Sequence, residues 1–230
     1  MKYLTTVALL LFMGCALSPK PQTISVPNNA RLLSLTILPL QWAEPDAETG
    51  VMGEVRTRCT AFSVAPLQGG WITAAHCVVN FDGVQHSDAF QLAGQPVHVY
   101  DVDREIDLAL LVADGWTIPD GLRLATEAPI PGDRAETMGF AYGLQKPLYF
   151  VGPVSQTSIM TPWGPYFGTI MAIPVFGGQS GSPIVNTMGD VIGVALRAFG
   201  GTQFTGVDPY LGSLTYEQLV AFDRGWVFGD

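Results

Sequence analysis

The chain is poor in charge. Asp, Glu, Lys and Arg make up 13% of its 230 residues, against about 25% in an ordinary soluble domain. Positive charge is the scarcer sign: 11 Lys and Arg stand against 20 Asp and Glu, a formal net charge of −9. A surface of that sign repels phosphates, which argues against nucleic acid as a partner. Long apolar runs are also missing. The run at the N-terminus, Leu4 to Met13, is about half the roughly 20 residues a membrane-spanning helix needs, and no second span follows it. There are three histidines, and His86 and His98 have no metal-like spacing with each other or with cysteine. No metal site and no cofactor is therefore expected. No repeat of fixed period is present, and no long helical patterns alternate with the strand-like runs.

What the chain does have is glycine (26) and proline (17), which suit short strands joined by many turns. Its length allows one large domain or two small ones, each with a real core. From Arg31 the composition turns globular. RLLSLTIL, CTAFSVAP, GGWITAAH, AFQLAG, QPVHVYDV and DLALLVAD are short runs rich in β-branched and aromatic residues. After a Pro/Gly-marked stretch near 115–132, a second set follows: AETMGFAYG, PLYFVGPVSQ, FGTIMAIPVF, SPIVN and DVIGVALRA. This spacing predicts an all-β barrel or sandwich architecture. Thr215-Tyr216-Glu217-Gln218 has the form of a capping box and predicts a short helix over 215–223.

Residues 1–17 combine Lys2, the apolar run and the small residues Gly14-Cys15-Ala16, the composition of an export signal. Two cleavage patterns fit. Gly14-Cys15 resembles a bacterial lipoprotein box, which would leave Cys15 as a lipid-bearing first residue, although Phe12 and Met13 are bulkier than such a box usually has. Alternatively, an ordinary signal peptidase cuts after Ala16. Residues 18–30, rich in Pro, Ser and Asn, read as a tether. The three cysteines are 15, 59 and 77, and an odd count in an exported chain suggests one bridge and one cysteine with another fate.

Three segments carry chemistry. Gly177-Gly178-Gln179-Ser180-Gly181-Ser182-Pro183 is a tight, glycine-dense turn around one serine. The backbone N–H groups of Gly178 and Ser180 could converge there on a negatively charged oxygen; the plainer alternative is a simple Gly/Ser/Pro loop. His76 stands in Thr73-Ala74-Ala75-His76-Cys77, at the end of an apolar run, where a satisfied half-buried histidine is the competing interpretation. Asp107 opens the apolar run Leu108-Ala109-Leu110-Leu111. A buried carboxylate there needs a hydrogen-bond donor such as an imidazole N–H; otherwise it is the exposed start of a strand. Taken together the three supply a nucleophile, a general base and the carboxylate that orients the base. A histidine base also implies that activity falls on acidification.

TAAHC, DLALL and GxSGxP, in that order, resemble the trypsin/chymotrypsin-like serine protease family, with the SGSP ending closest to the bacterial trypsin-like and glutamyl-endopeptidase branch. The resemblance runs from about residue 31 to 223. It implies two six-stranded antiparallel β-barrels, one over about 31–114 and one over about 130–212, with the active site between them. His76 and Asp107 would come from the first barrel and Ser180 from the second, and PGDRAETMGF resembles the second barrel's opening strand. The resemblance also implies a Cys59–Cys77 disulfide around the histidine loop, with polypeptides as substrates.

Departures from the family are informative. Gln179 stands where zymogen-activated members have an aspartate that pairs with a new N-terminus, and no activation sequence such as IVGG precedes the first barrel. The oxyanion pocket is therefore expected to form without a cut near Arg31. Six residues before Ser180 lies Pro174, and 170–179 contains no acid; cleavage after Arg or Lys is not expected unless a later loop supplies the charge. Gly193-Val194-Ala195-Leu196-Arg197 resembles the strand that pairs with substrate, and Arg197 either reaches an acidic substrate side chain or lies in solvent. Thr161-Pro162-Trp163-Gly164-Pro165-Tyr166 reads as a loop that is structural or walls the cleft. Two other functions share this pattern: a protease-like module that binds without cutting, and an esterase using the same chemistry.

Overall fold

The computed structural model describes residues 28–44, 46, 48–65, 70–113, 115, 121–161, 164–199 and 210–227. The expected signal, Cys15 and most of the expected tether lie outside the described residues.

Six antiparallel strands close a first barrel. They are β1 (Ile37–Trp42), β2 (Arg56–Ser63), β3 (Gly70–Ala74), β4 (Phe90–Leu92), β5 (Gln95–Asp103) and β6 (Leu108–Val112), in the order β1-β2-β3-β6-β5-β4. All of β3 and nearly all of β6 are buried, which is why GWITA and LALLV read as unbroken apolar runs rather than alternating ones. Ala74 pairs with Leu108, so the end of β3 lies beside the start of β6. That register places the candidate histidine and aspartate together.

The second unit is a sheet of β7 (Arg134–Gly139), β8 (Leu148–Thr161), β9 (Gly164–Met171), β10 (Pro183–Val185), β11 (Val191–Val194), β12 (Arg197–Phe199) and β13 (Tyr210–Gly212). Its order is β11-β10-β7-β8-β9-β13-β12. Six strands were expected and seven are present, for a simple reason. β11 and β12 occupy the two edges yet are joined only by Ala195-Leu196. The Ala195 N–H donates to the Ser182 carbonyl (2.8 Å) and the Leu196 N–H to the Gly212 carbonyl (3.0 Å). One interrupted strand thus reaches both edges, and the chymotrypsin-like double barrel results.

Two local expectations need correction. Arg31–Thr36 was read as part of a strand, and 18–30 as tether, but Asn28–Thr36 forms helix α1. Leu is a good helix former, and Ala30, Leu33 and Ile37, three to four residues apart, are buried while Leu35 is exposed. The Thr161–Tyr166 stretch is the end of the β8–β9 hairpin rather than an independent loop: Thr161 pairs with Gly164 and Ile159 with Tyr166. Pro162 and Trp163 lie outside the described residues. The expected terminal helix is present as α2 (Tyr216–Val227), ending four residues later than read. Its capping box is reciprocal: Gln218 N–H donates to Thr215 Oγ1 (3.2 Å) and Thr215 N–H to Gln218 Oε1 (2.9 Å).

Candidate active site

His76 sits in a single turn of 3₁₀ helix, Ala75–Cys77, directly after β3. Asp107 ends the turn before β6 with φ 61°, a left-handed conformation that Asp tolerates better than most residues. Three hydrogen bonds join the two segments. The Ala75 N–H donates to the Asp107 carbonyl (3.0 Å), the His76 N–H to Asp107 Oδ1 (2.9 Å), and His76 Nδ1 lies 2.8 Å from Oδ2. A carboxylate can only accept, so Nδ1 carries the proton and Nε2 is left with a lone pair. The imidazole is 45% exposed and the carboxylate 16%; the acid is sheltered while the ring faces the cleft.

Two more contacts brace this turn. Cys59 and Cys77 form the expected disulfide, which ties the residue after His76 to β2. His86, to which the sequence assigns no role, lies with Nε2 3.1 Å from the His76 carbonyl. Its ring stacks on Trp42 at 5.7 Å.

The serine turn is shaped by glycines. Gly178 and Gly181 have φ of 93° and 81°. A Cβ at Gly178 would collide with the Phe140 carbonyl, and one at Gly181 with the Thr60 carbonyl and Thr73 Oγ1. Gln179 is 3% exposed and holds the turn from inside, its Oε1 accepting from the Phe176 N–H at 2.7 Å.

Thr60 joins the turn to the first barrel. Its N–H donates to the Ser180 carbonyl (2.9 Å) and its Oγ1 to the Gly178 carbonyl (3.0 Å), while Oγ1 accepts from the Phe140 N–H (3.0 Å). With both carbonyls turned to Thr60, the N–H groups of Gly178 and Ser180 donate to no backbone carbonyl among the described residues. The Ser180 hydroxyl makes no hydrogen bond with His76 in this structure.

One cavity lies beside the histidine and another beside the serine turn. The first, of about 430 Å³, is lined by His76, Asp107, Phe81, Arg104, Glu105 and Arg197 among others. The other, of about 270 Å³, is lined by Ser180, Phe176, Ala195, Leu196, Arg197 and Leu211 among others. Arg197 is common to both. Pro174 does not line the second cavity, and no carboxylate does among the described residues. Sequence reasoning missed Thr60, His86, Phe81 and Arg104. Only the position of Thr60 beside Cys59 could have drawn attention to it. Among the described residues no group of three or more His, Cys, Asp or Glu side chains gathers where a metal could be held.

Two antiparallel barrels of this layout define the chymotrypsin-like class. The trypsin-like peptidase domain model matches residues 59–194, and the chain belongs to that family of proteases. Among solved structures, the active form of the Rv3671c protease from M. tuberculosis is similar with a TM-score of 0.62 at 19% identity, over 85% of this chain and 82% of that one. The inactive form of the Rv3671c protease gives 0.64 at 16% identity, over 85% and 90%. The HtrA-type protease AlgW with decapeptide gives 0.69 at 14% identity, over 87% and 66%. These are likenesses of fold. Comparison with curated protein sequences gives no match.

Proposed function

We propose that the chain is an exported serine endopeptidase working through Ser180, His76 and Asp107. The observation that carries this reading is the two-point attachment of His76 to Asp107, with the serine turn bonded to the same barrel through Thr60. In this mechanism His76 Nε2 takes the Ser180 proton as Oγ attacks the peptide carbonyl, and Asp107 stabilises the imidazolium. The Gly178 and Ser180 N–H groups receive the oxyanion; a donor of this kind is worth roughly 10²–10³ in rate. The imidazolium then gives its proton to the departing amine, and water hydrolyses the acyl-enzyme by the same relay. Hydrogen bonds of free active sites commonly close only when substrate is bound, which accommodates a Ser180 hydroxyl not yet bonded to His76.

Export is supported by the apolar run at 4–13 and by the disulfide, which persists in oxidising compartments. On this reading the enzyme lies in the cell envelope, and a lipid on Cys15 tethers it there. The test is labelling by a fluorophosphonate probe. The intact chain, uncut near Arg31, is expected to react at neutral pH and to lose reactivity on acidification, as a histidine base requires. Ser180→Ala is expected to remain folded and unlabelled. A folded wild-type chain that takes no label at neutral pH would leave a peptide-binding module instead.

A further inference from the structure

We propose that Tyr142 is a specificity-determining residue for the part of the substrate that follows the cut, where its ring takes an aromatic side chain at the first or second position. The inference rests on the hydrolase reading above and deepens it. Tyr142 sits in the turn after β7, and its backbone is left-handed, with φ 52° and ψ 26°. A bulky residue seldom adopts that conformation, which glycine takes freely. A tyrosine here therefore accepts strain, and what it presents in return is a ring. Ala93, Asp107 and Tyr142 are the non-glycine residues with positive φ among the described residues. Two of the three thus stand at the candidate site, where such strain tends to gather.

The turn is bonded to the serine loop. The Tyr142 N–H donates to the carbonyl of Gly177, three residues before Ser180. A Cβ added to Gly178 would come within 3.3 Å of the Tyr142 nitrogen, so this backbone packs against one of the oxyanion donors. The Tyr142 and Phe176 rings meet edge-on with centroids 5.4 Å apart, and Phe176 packs in turn on Phe150 at 5.5 Å. Braced in this way, Tyr142 is still 62% exposed. The ground between it and the nucleophile is bare: Gly177 is exposed, and a Cβ there would meet nothing within 4 Å. Leu144, two residues on and also exposed, widens the apolar surface.

The side of the cut follows from what serves the other side. The stretch likened to a substrate-pairing strand ends at Arg197, and both cavities reach that residue. They hold the residues before the cut. Tyr142 lines neither cavity, and its contact with Gly177 sets it where the departing half of the substrate runs on from Ser180. An aromatic side chain stacked on or set edge-on to the ring would be favoured roughly three- to tenfold over a small one.

The experiment digests a peptide library with the full chain and reads the residues on both sides of every cut by mass spectrometry. Fluorophosphonate labelling sets the active fraction. Wild type is expected to show Phe, Tyr or Trp enriched roughly three- to tenfold over their library frequency at one of the two positions after the cut. Tyr142→Phe keeps the ring and should keep the enrichment. Tyr142→Ala keeps the N–H that holds Gly177 and should bring the aromatic residues to within about twofold of their library frequency, the pattern before the cut staying that of wild type. A merely structural tyrosine would slow every cut alike and leave the enrichment in the surviving activity, which would overturn the inference. So would a wild-type pattern without aromatic enrichment after the cut, one with Lys or Arg enriched there in its place, or a Tyr142→Ala change confined to residues before the cut. A chain that takes no label fails the hydrolase reading itself, and this inference with it.

Discussion

Thr60 shows how one buried side chain joins two barrels. It is fully buried, and its hydroxyl gives its proton to the Gly178 carbonyl while accepting from the Phe140 N–H. Thr60→Val keeps the shape and removes both bonds, leaving buried partners unsatisfied at about 1–3 kcal/mol each. The Gly178 carbonyl would then lose its hydrogen bond to the first barrel. On the proposed mechanism kcat should fall roughly 10–100-fold, less than the loss of an entire oxyanion donor, with KM little changed. Thr60→Ser should recover most of it. Steady-state kinetics on the three proteins decides the matter, and an unchanged kcat in Thr60→Val would refute the positioning role. At this scale the legible residues were those whose chemistry restricts their identity: a histidine before a cysteine, a carboxylate heading an apolar run, a serine among glycines. Thr60 was opaque because its partners Gly178 and Ser180 lie more than a hundred residues away, and no local pattern encodes that.

The elements that hold the site are short, so their fixtures matter more than their length. β3 has five residues, and the turn that follows would be free to fray without the Cys59–Cys77 bridge to β2. The bridge closes a loop with a sequence separation of 18, worth about 3 kcal/mol on the chain-entropy account. Denaturant melts should show wild type losing that amount when reductant is added, and a Cys59→Ser/Cys77→Ser variant should begin there and ignore reductant. Wild-type melts that do not respond to reductant would refute this. Element types were mostly legible, since unbroken apolar runs of four to eight residues between Gly and Pro are how buried strands read. Helix α1 was not: Leu-Leu-Ser-Leu-Thr-Ile satisfies both periods, and its helical state is selected by contacts with the second barrel. The split of the closing strand into β11 and β12 was hidden for a related reason, because pairing with opposite sheet edges is a tertiary event.

At the scale of the molecule, the chain ties its barrels together before it builds the first one. Helix α1 leads straight into β1 of the first barrel, yet Asn29 donates to the Asn186 carbonyl (2.9 Å) in the turn between β10 and β11 of the second. Asn29 also bonds Glu136 on β7. Glu136 is 4% exposed and is joined by Arg134 Nε at 2.7 Å and by the Tyr149 hydroxyl. Burial pushes its carboxyl up, but the hydrogen bonds from Tyr149, Arg134 and Asn29 outweigh burial and hold it below the ordinary value of 4.5. A carboxyl depressed in the folded state stabilises fully above its unfolded pKa, and that stability drains away as pH falls through the folded value. Tyr149 shows the opposite sign. Burial and the neighbouring Glu136 push it up to about 12 from 10, so its contribution is intact below pH 10 and lost as pH rises through about 12. The stability profile should therefore be eroded at both ends by one network. Glu136→Gln should cost about 1–3 kcal/mol at neutral pH and flatten the acid limb, and Tyr149→Phe should flatten the alkaline one. Because α1 reaches this network through Asn29, Asn29→Ala should weaken the same acid limb without touching either barrel's interior. Thermal melts across pH test the set together, and an acid limb as steep in Glu136→Gln as in wild type would show that the inter-barrel tie does not run through this carboxylate.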